Sequence, residues 1–241
     1  MPGNSQIPWK SISAESVAIV VSILLAFAID AWWEERRERR FEQEALVSLK
    51  SEYEDHRESI EWQLDFHLAT MRATTGLMAA CQSGSFQSTE FTIDDAIWYF
   101  QVPVTTDLGS GARDALISAG RIEVLQNREL RHDLAAWDSV LLELADNQLF
   151  NVAYVRESIL PYFTRHGISL SGAHDLREGR EWPVPARLIA EEPETIERLV
   201  GDPEFCAIVD IRYGELDHLQ TEYEDLLESI ERILERIEQS S

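Results

Sequence analysis

The chain has 241 residues, a formal net charge of −23 and a hydrophobic content of 44%. That acidity excludes nucleic acid as a partner and argues against broad attraction to anionic lipid, while the apolar content excludes a disordered chain. The length admits one large domain or two small ones.

Residues 1–11 form a short tail with Pro2, Gly3 and Pro8. From Ile12 the chain turns apolar, and Ser16 to Ile29 carries no charge. Those 14 residues make about 21 Å of helix, shorter than a hydrocarbon core of about 30 Å. The flanks extend the reading. Trp9 precedes Trp32 by 23 residues, about 34 Å along a helix, and Trp33 follows, so aromatic side chains stand at both ends. Four arginines come next: Arg36, Arg37, Arg39 and Arg40. The pattern predicts a transmembrane helix over 12–33, anchored at its interfaces by Trp9, Trp32, Trp33, Arg36 and Arg37. Two other readings stay open. Ala26-Phe27-Ala28 after an apolar run suits a signal-peptide cleavage site, though Lys10 alone makes a weak positive start. A buried helix of a soluble core is the other.

Within the span, Ala14, Ala18, Ser22 and Ala26 recur every four residues, and Asp30 continues the row. Small residues at this spacing let helix backbones approach, so Ala18, Ser22, Ala26 and Asp30 are candidates for membrane-helix association. Asp30, beside Trp32 and Arg36, reads more simply as an interfacial anchor than as a pathway residue. Four arginines after the span against one lysine before it favour a cytoplasmic domain.

From Ser13 to about Cys81 no proline occurs, which predicts one very long helix. Leu46, Leu49, Tyr53, Ile60, Leu64, His67, Met71, Thr74, Met78 and Cys81 approximate a core-facing stripe. His56 and His67 share a face of it and suit ordinary packing. Thr92 suits an N-cap before a short helix over 96–100, ended by Pro103. A helix over 112–118 is followed by Gly120 as its C-cap. Asn127 caps the next helix, with seam Leu130, Leu134, Trp137, Leu141 and Leu144. It runs to about Asn147, or onward to Phe163. Glycines and prolines between 166 and 185 suggest a long surface loop, and 193–200 a short helix stopped by Gly201.

The last helix, from Pro203 to about Glu238, carries the clearest period. Leu216, Leu219, Tyr223, Leu226, Ile230, Ile233 and Ile237 alternate steps of three and four. Packing antiparallel on the first helix is the expected use, with a parallel coiled coil between two chains as the rival. The fold class is therefore all-α: an N-terminal transmembrane helix continuing into a long helix, then a helical soluble domain over 34–241. Cys81 and Cys206 are too few for a disulfide framework, though one bridge stays open if they meet in an oxidising compartment.

Two Glu-x-x-His pairs, Glu129 with His132 and Glu215 with His218, match the ligand spacing of di-iron bundles. Glu129 and His132 point away from their helix's seam, and Glu215 and His218 flank theirs, so these are weak metal candidates. No phosphate loop, G-x-S-x-G elbow or paired C-x-x-C occurs, so no catalytic residue and no cofactor is expected.

Two stretches, Leu24 to Ile60 (LLAFAIDAWWEERRERRFEQEALVSLKSEYEDHRESI) and Asp114 to Leu141 (DALISAGRIEVLQNRELRHDLAAWDSVL), resemble a family of uncharacterised bacterial single-pass membrane proteins. Ala119 before Gly120 is a minor departure from its pattern. The resemblance covers about a quarter of the chain. It implies a bacterial inner-membrane anchor and a helical domain, and names no catalytic residue. The expected role is a non-enzymatic interaction or scaffold protein, partnered by the lipid bilayer, by further copies of itself or by another membrane protein. A metal-dependent enzyme and a channel component are the alternatives.

Overall fold

The structure is a computed structural model that describes residues 9–103, 105–109, 111–168 and 193–240, with side chains from Val20 onward, Pro193 apart. Every regular element among them is helical. Helix α1 runs unbroken over Trp9–Ser83, 75 residues or about 112 Å. Gly76 does not interrupt it. Among the described residues nothing folds against it before Phe41: every residue from Val20 to Arg40 is exposed, and packing begins at Phe41 and Glu42.

Local chemistry explains the short elements. Helix α2 (Ile93–Gln101) starts in a capping box, where the Thr92 side chain accepts from the Asp95 amide and the Asp95 carboxylate accepts from the Thr92 amide. Helix α3 (Gly111–Ser118) is capped from a distance: the Glu52 carboxylate of α1 accepts from the amides of Ala112 and Arg113. Gly120 ends α3 at φ +64°, with Arg121 N–H bonded back to Leu116 O at 2.9 Å, the Schellman arrangement. A 3₁₀ turn (Ile122–Val124) leads to α4 (Arg128–Tyr154), whose first amides are met by the Asn127 side chain. The helical path then continues through a π turn (Val155–Ile159) into α5 (Leu160–Arg165). Pro161 supplies the reason for the wide turn, since its ring lacks an N–H and presses on the preceding turn. Helix α6 (Pro193–Val200) and helix α7 (Pro203–Ser240) complete the chain. The loop expected over 166–185 lies almost wholly outside the described residues.

Helix α7 lies antiparallel on α1. Lys50 Nζ meets Glu238 Oε1 at 2.9 Å, His67 Nε2–H donates to Leu216 O at 2.8 Å, and Cys81 is disulfide-bonded to Cys206 with Cα atoms 5.8 Å apart. These three pairs keep nearly one register from Lys50 to Cys81 of α1. All seven residues of the expected α7 seam are buried, against the same chain. The bridge left open by the sequence is therefore formed.

Two apolar cores result. The core nearer the exposed arm joins Leu46, Leu49, Tyr53 and Ile60 of α1 to Leu130, Leu134 and Trp137 of α4 and to Leu219 through Ile237 of α7. The far core joins Ala73 and Leu77 to Phe100, Tyr162, Phe163 and Phe205. Between them lies a belt of buried polar side chains: Gln63, His67, Thr70, Gln148, Asn151 and Arg212.

Among the described residues no helix is long and apolar enough to cross a membrane. The span expected over 12–33 lies partly outside the described side chains, which begin at Val20.

Candidate functional site

Three features stand out from the bundle. The first is the exposed arm of α1. Val20, Val21, Ile23, Leu24, Leu25, Phe27, Ile29, Trp32 and Trp33 are all 48–67% exposed. They point in every direction around the helix. An all-round apolar helix requires covering by something, because a globular surface helix keeps a polar face. Charges gather where the apolar run ends. Arg36 lies over the Trp32 ring at 5.4 Å, Trp32 and Trp33 meet edge to face at 5.2 Å, and Arg37 and Arg39 pair with Glu34 and Glu35. Ala26 and Asp30 are exposed. The Trp9 and Ala18 side chains lie outside the described ones.

The second feature is an aromatic groove between α1 and α2, with a volume of about 590 Å³. Trp62, Asp65 and Phe66 form one wall, and Trp98, Tyr99 and Pro103 the other. The rings form a chain of contacts: Trp62 to Phe66 at 5.8 Å, Phe66 to Trp98 at 5.6 Å, and Trp98 to Tyr99 at 5.1 Å. Trp62 remains 63% exposed. Among the described residues Asp65 is the one charged side chain lining the groove. Sequence reading missed this site. Trp62 and Phe66 stand four apart on α1, off the core stripe, which was the available signal. Trp98 and Tyr99 meet them only in three dimensions.

The third feature is the polar belt. One half of it is fully bonded. Thr106 N–H donates to Gln148 Oε1 at 2.8 Å, Thr106 Oγ1–H to Gln63 Oε1 at 2.6 Å, and Gln148 Nε2–H to Tyr223 Oη at 2.9 Å. Burial pushes the His67 imidazole down to about 4, with the nearby Arg212 charge adding to the effect against the bond to Leu216 O. Burial also pulls Arg212 down to about 10. His56 behaves as packing suggests. Its ring stacks on Trp137 at 5.7 Å, and Nε2–H donates to Gly109 O.

The Glu-x-x-His pairs do not converge. Glu129 meets Arg236 at 3.4 Å, and His218 meets Glu222 at 3.3 Å on the same α7. Residues 218 and 236 lie about 27 Å apart along that helix, far beyond a shared metal site. His132 and His218 are exposed, and no group of three or more His, Cys, Asp or Glu side chains is placed to hold a metal among the described residues.

Comparison with protein-family models, with curated proteins and with solved structures finds no match.

Proposed function

We propose that the chain is a single-pass, membrane-anchored interaction protein: the apolar arm of α1 sits in lipid and the helical domain binds a protein partner through the aromatic groove. The observation that supports anchoring most directly is the arm itself, nine large apolar side chains around one helix that no element among the described residues covers. The Trp32–Arg40 segment suits the headgroup region, where aromatic and arginine side chains are favoured.

The groove supports the binding role. Tryptophan and tyrosine dominate the energetic centres of protein interfaces. Asp65, with no basic residue among the described lining residues and a chain charge of −23, favours a partner that presents a basic segment. The groove stands about 43 Å along α1 from Trp33, too far for the bilayer to fill it.

The arginine count favours a cytoplasmic domain. The bridge favours an oxidising compartment, since it joins cysteines 125 residues apart and cytosolic thiols are kept reduced. The bridge is the more specific signal, and the proposal places the domain on the oxidising side of the membrane.

Anchoring is tested by fractionation: the protein stays in the membrane pellet through carbonate extraction, and release by carbonate sinks the anchor. Binding is tested by a photo-crosslinker at Trp62 in native membranes, with Val47 as control. The expected product joins Trp62 to a basic segment of one protein and is lost in Asp65→Lys. Equal products from both positions would rule the groove out. Orientation is read by blocking free thiols in intact cells, where a cytoplasmic domain yields modified Cys81 and Cys206.

A further inference from the structure

Among the described residues the helical domain buries two arginines, and their surroundings differ. Arg113 is satisfied. Its Nε–H donates to Leu134 O at 2.6 Å, and Nη1 pairs with Asp114 and Asp138, each at 2.8 Å. Arg212 is 1% exposed, yet among the described residues its Nε and Nη1 have no hydrogen-bond partner. Among the described residues no carboxylate lies within ion-pair distance of it. Glu215, one turn on, acts only through space. A buried charge left in this condition is strongly unfavourable, which is why such groups take counter-ions.

Its place is fixed by two helices packed beside α7. Tyr154 Oη–H donates to Ile208 O at 3.1 Å, one turn before Arg212, and so brings α4 alongside. His67 Nε2–H donates to Leu216 O at 2.8 Å, one turn after, and brings α1 alongside. Asn151, one turn before Tyr154 on α4, is buried with its Nδ2 unpaired. The groups left over on Arg212 and Asn151 are all donors. Thr70 and Thr74 spend their hydroxyl protons on carbonyls of α1 itself. The titratable groups facing Arg212 among the described residues are thus Glu215 on its own helix, the neutral Tyr154 from α4 and the neutral His67 from α1. None is an anion in contact with it.

We infer that the Arg212 guanidinium, with the Asn151 amide, forms a buried site for a small monovalent inorganic anion of the chloride class, held where α1, α4 and α7 meet between the two apolar cores. A water molecule would accept hydrogen bonds there but leave the charge uncompensated. Burial of Arg212 excludes a bulky organic anion. The bound anion closes the polar belt and joins the two cores.

The test is thermal unfolding of the full chain in detergent micelles, with chloride titrated against gluconate at fixed ionic strength so that screening stays constant. The wild type gains about 3 °C or more between 1 and 100 mM chloride, by mass action on the folded state. Arg212→Met is flat. A wild type that is flat means hydration alone and overturns the proposal, as does an equal slope in Arg212→Met. If Arg212→Met fails to fold, Asn151→Ala decides. Its chloride midpoint moves up about tenfold, the loss of one bond to a charged group, and an unmoved midpoint overturns the site. Glu215 swinging in as an internal counter-ion would leave the wild type flat and give Glu215→Gln the chloride dependence, which also overturns it.

Discussion

The two cores are built on different principles. The core beside the arm is a periodic seam: Leu226, Ile230, Ile233 and Ile237 of α7 pack against Leu46, Leu49 and Tyr53 of α1 and the seam of α4. The far core is aromatic and assembled from short pieces. Phe100, Tyr162, Phe163 and Phe205 come from α2, α5 and α7, with ring centroids 5.8–6.4 Å apart. A short helix cannot hold itself by propensity, so this core depends on tertiary contacts and on the Cys81–Cys206 bridge. Regular helices stabilise one end, and a covalent tie with aromatic packing stabilises the other.

The largest expected effect therefore falls on the far core. The bridge closes 125 residues, and removing it by Cys81→Ser with Cys206→Ser should cost about 4–5 kcal/mol in the chain-entropy account. Amide hydrogen exchange should rise in α2, α5 and α6, while α4 and the last turns of α7 keep their protection. Uniform loss along the chain would show that the two cores melt as one.

The seam answers to a different change. Leu226→Ala and Ile230→Ala each empty buried volume and should cost roughly 2–4 kcal/mol in chemical unfolding. Glu228→Ala, on the exposed face, should be nearly silent. If all three behave alike, α7 does not pack as described.

The belt between the cores adds a pH dependence. His67 is 3% exposed and its folded-state value is about 4, below the ordinary 6.5. Between those values the unfolded chain binds the proton and the folded chain does not, so stability falls as pH drops from 6.5 towards 4. The loss is on the order of 3 kcal/mol at the acid end. His67→Gln keeps a donor for Leu216 O and should remove that part of the slope. An unchanged slope would place the acid sensitivity elsewhere.

Much of the first core was legible because helical period survives in a sequence: the α7 seam, the Asn127 cap and the Gly120 stop each follow from local chemistry. The far core was not. Its residues are scattered between 73 and 209, and the π turn at 155–159 breaks the period. The belt was hidden for another reason. Phe205, Val209, Arg212 and Leu216 keep the seam spacing, so Arg212 occupies a core position that its chemistry disguises as surface. The groove needed α2 laid across α1, which no spacing in either helix announces.

The last expectation is an absence of effect. Lys50 to Glu238, His67 to Leu216 and Cys81 to Cys206 close α1 and α7 into an antiparallel hairpin. A fragment starting at Glu34 keeps every one of them and drops only the apolar arm, since packing begins at Phe41. Its unfolding should be cooperative, and its melting temperature should hold constant over a hundredfold dilution. A seam shared between two chains would instead link unfolding to dissociation, and melting would rise with concentration. That rise would transfer the α7 seam from the fold of one chain to the assembly of two. Concentration dependence confined to the full chain, with none in the fragment, would assign self-association to the arm and to the row Ala18, Ser22, Ala26 and Asp30.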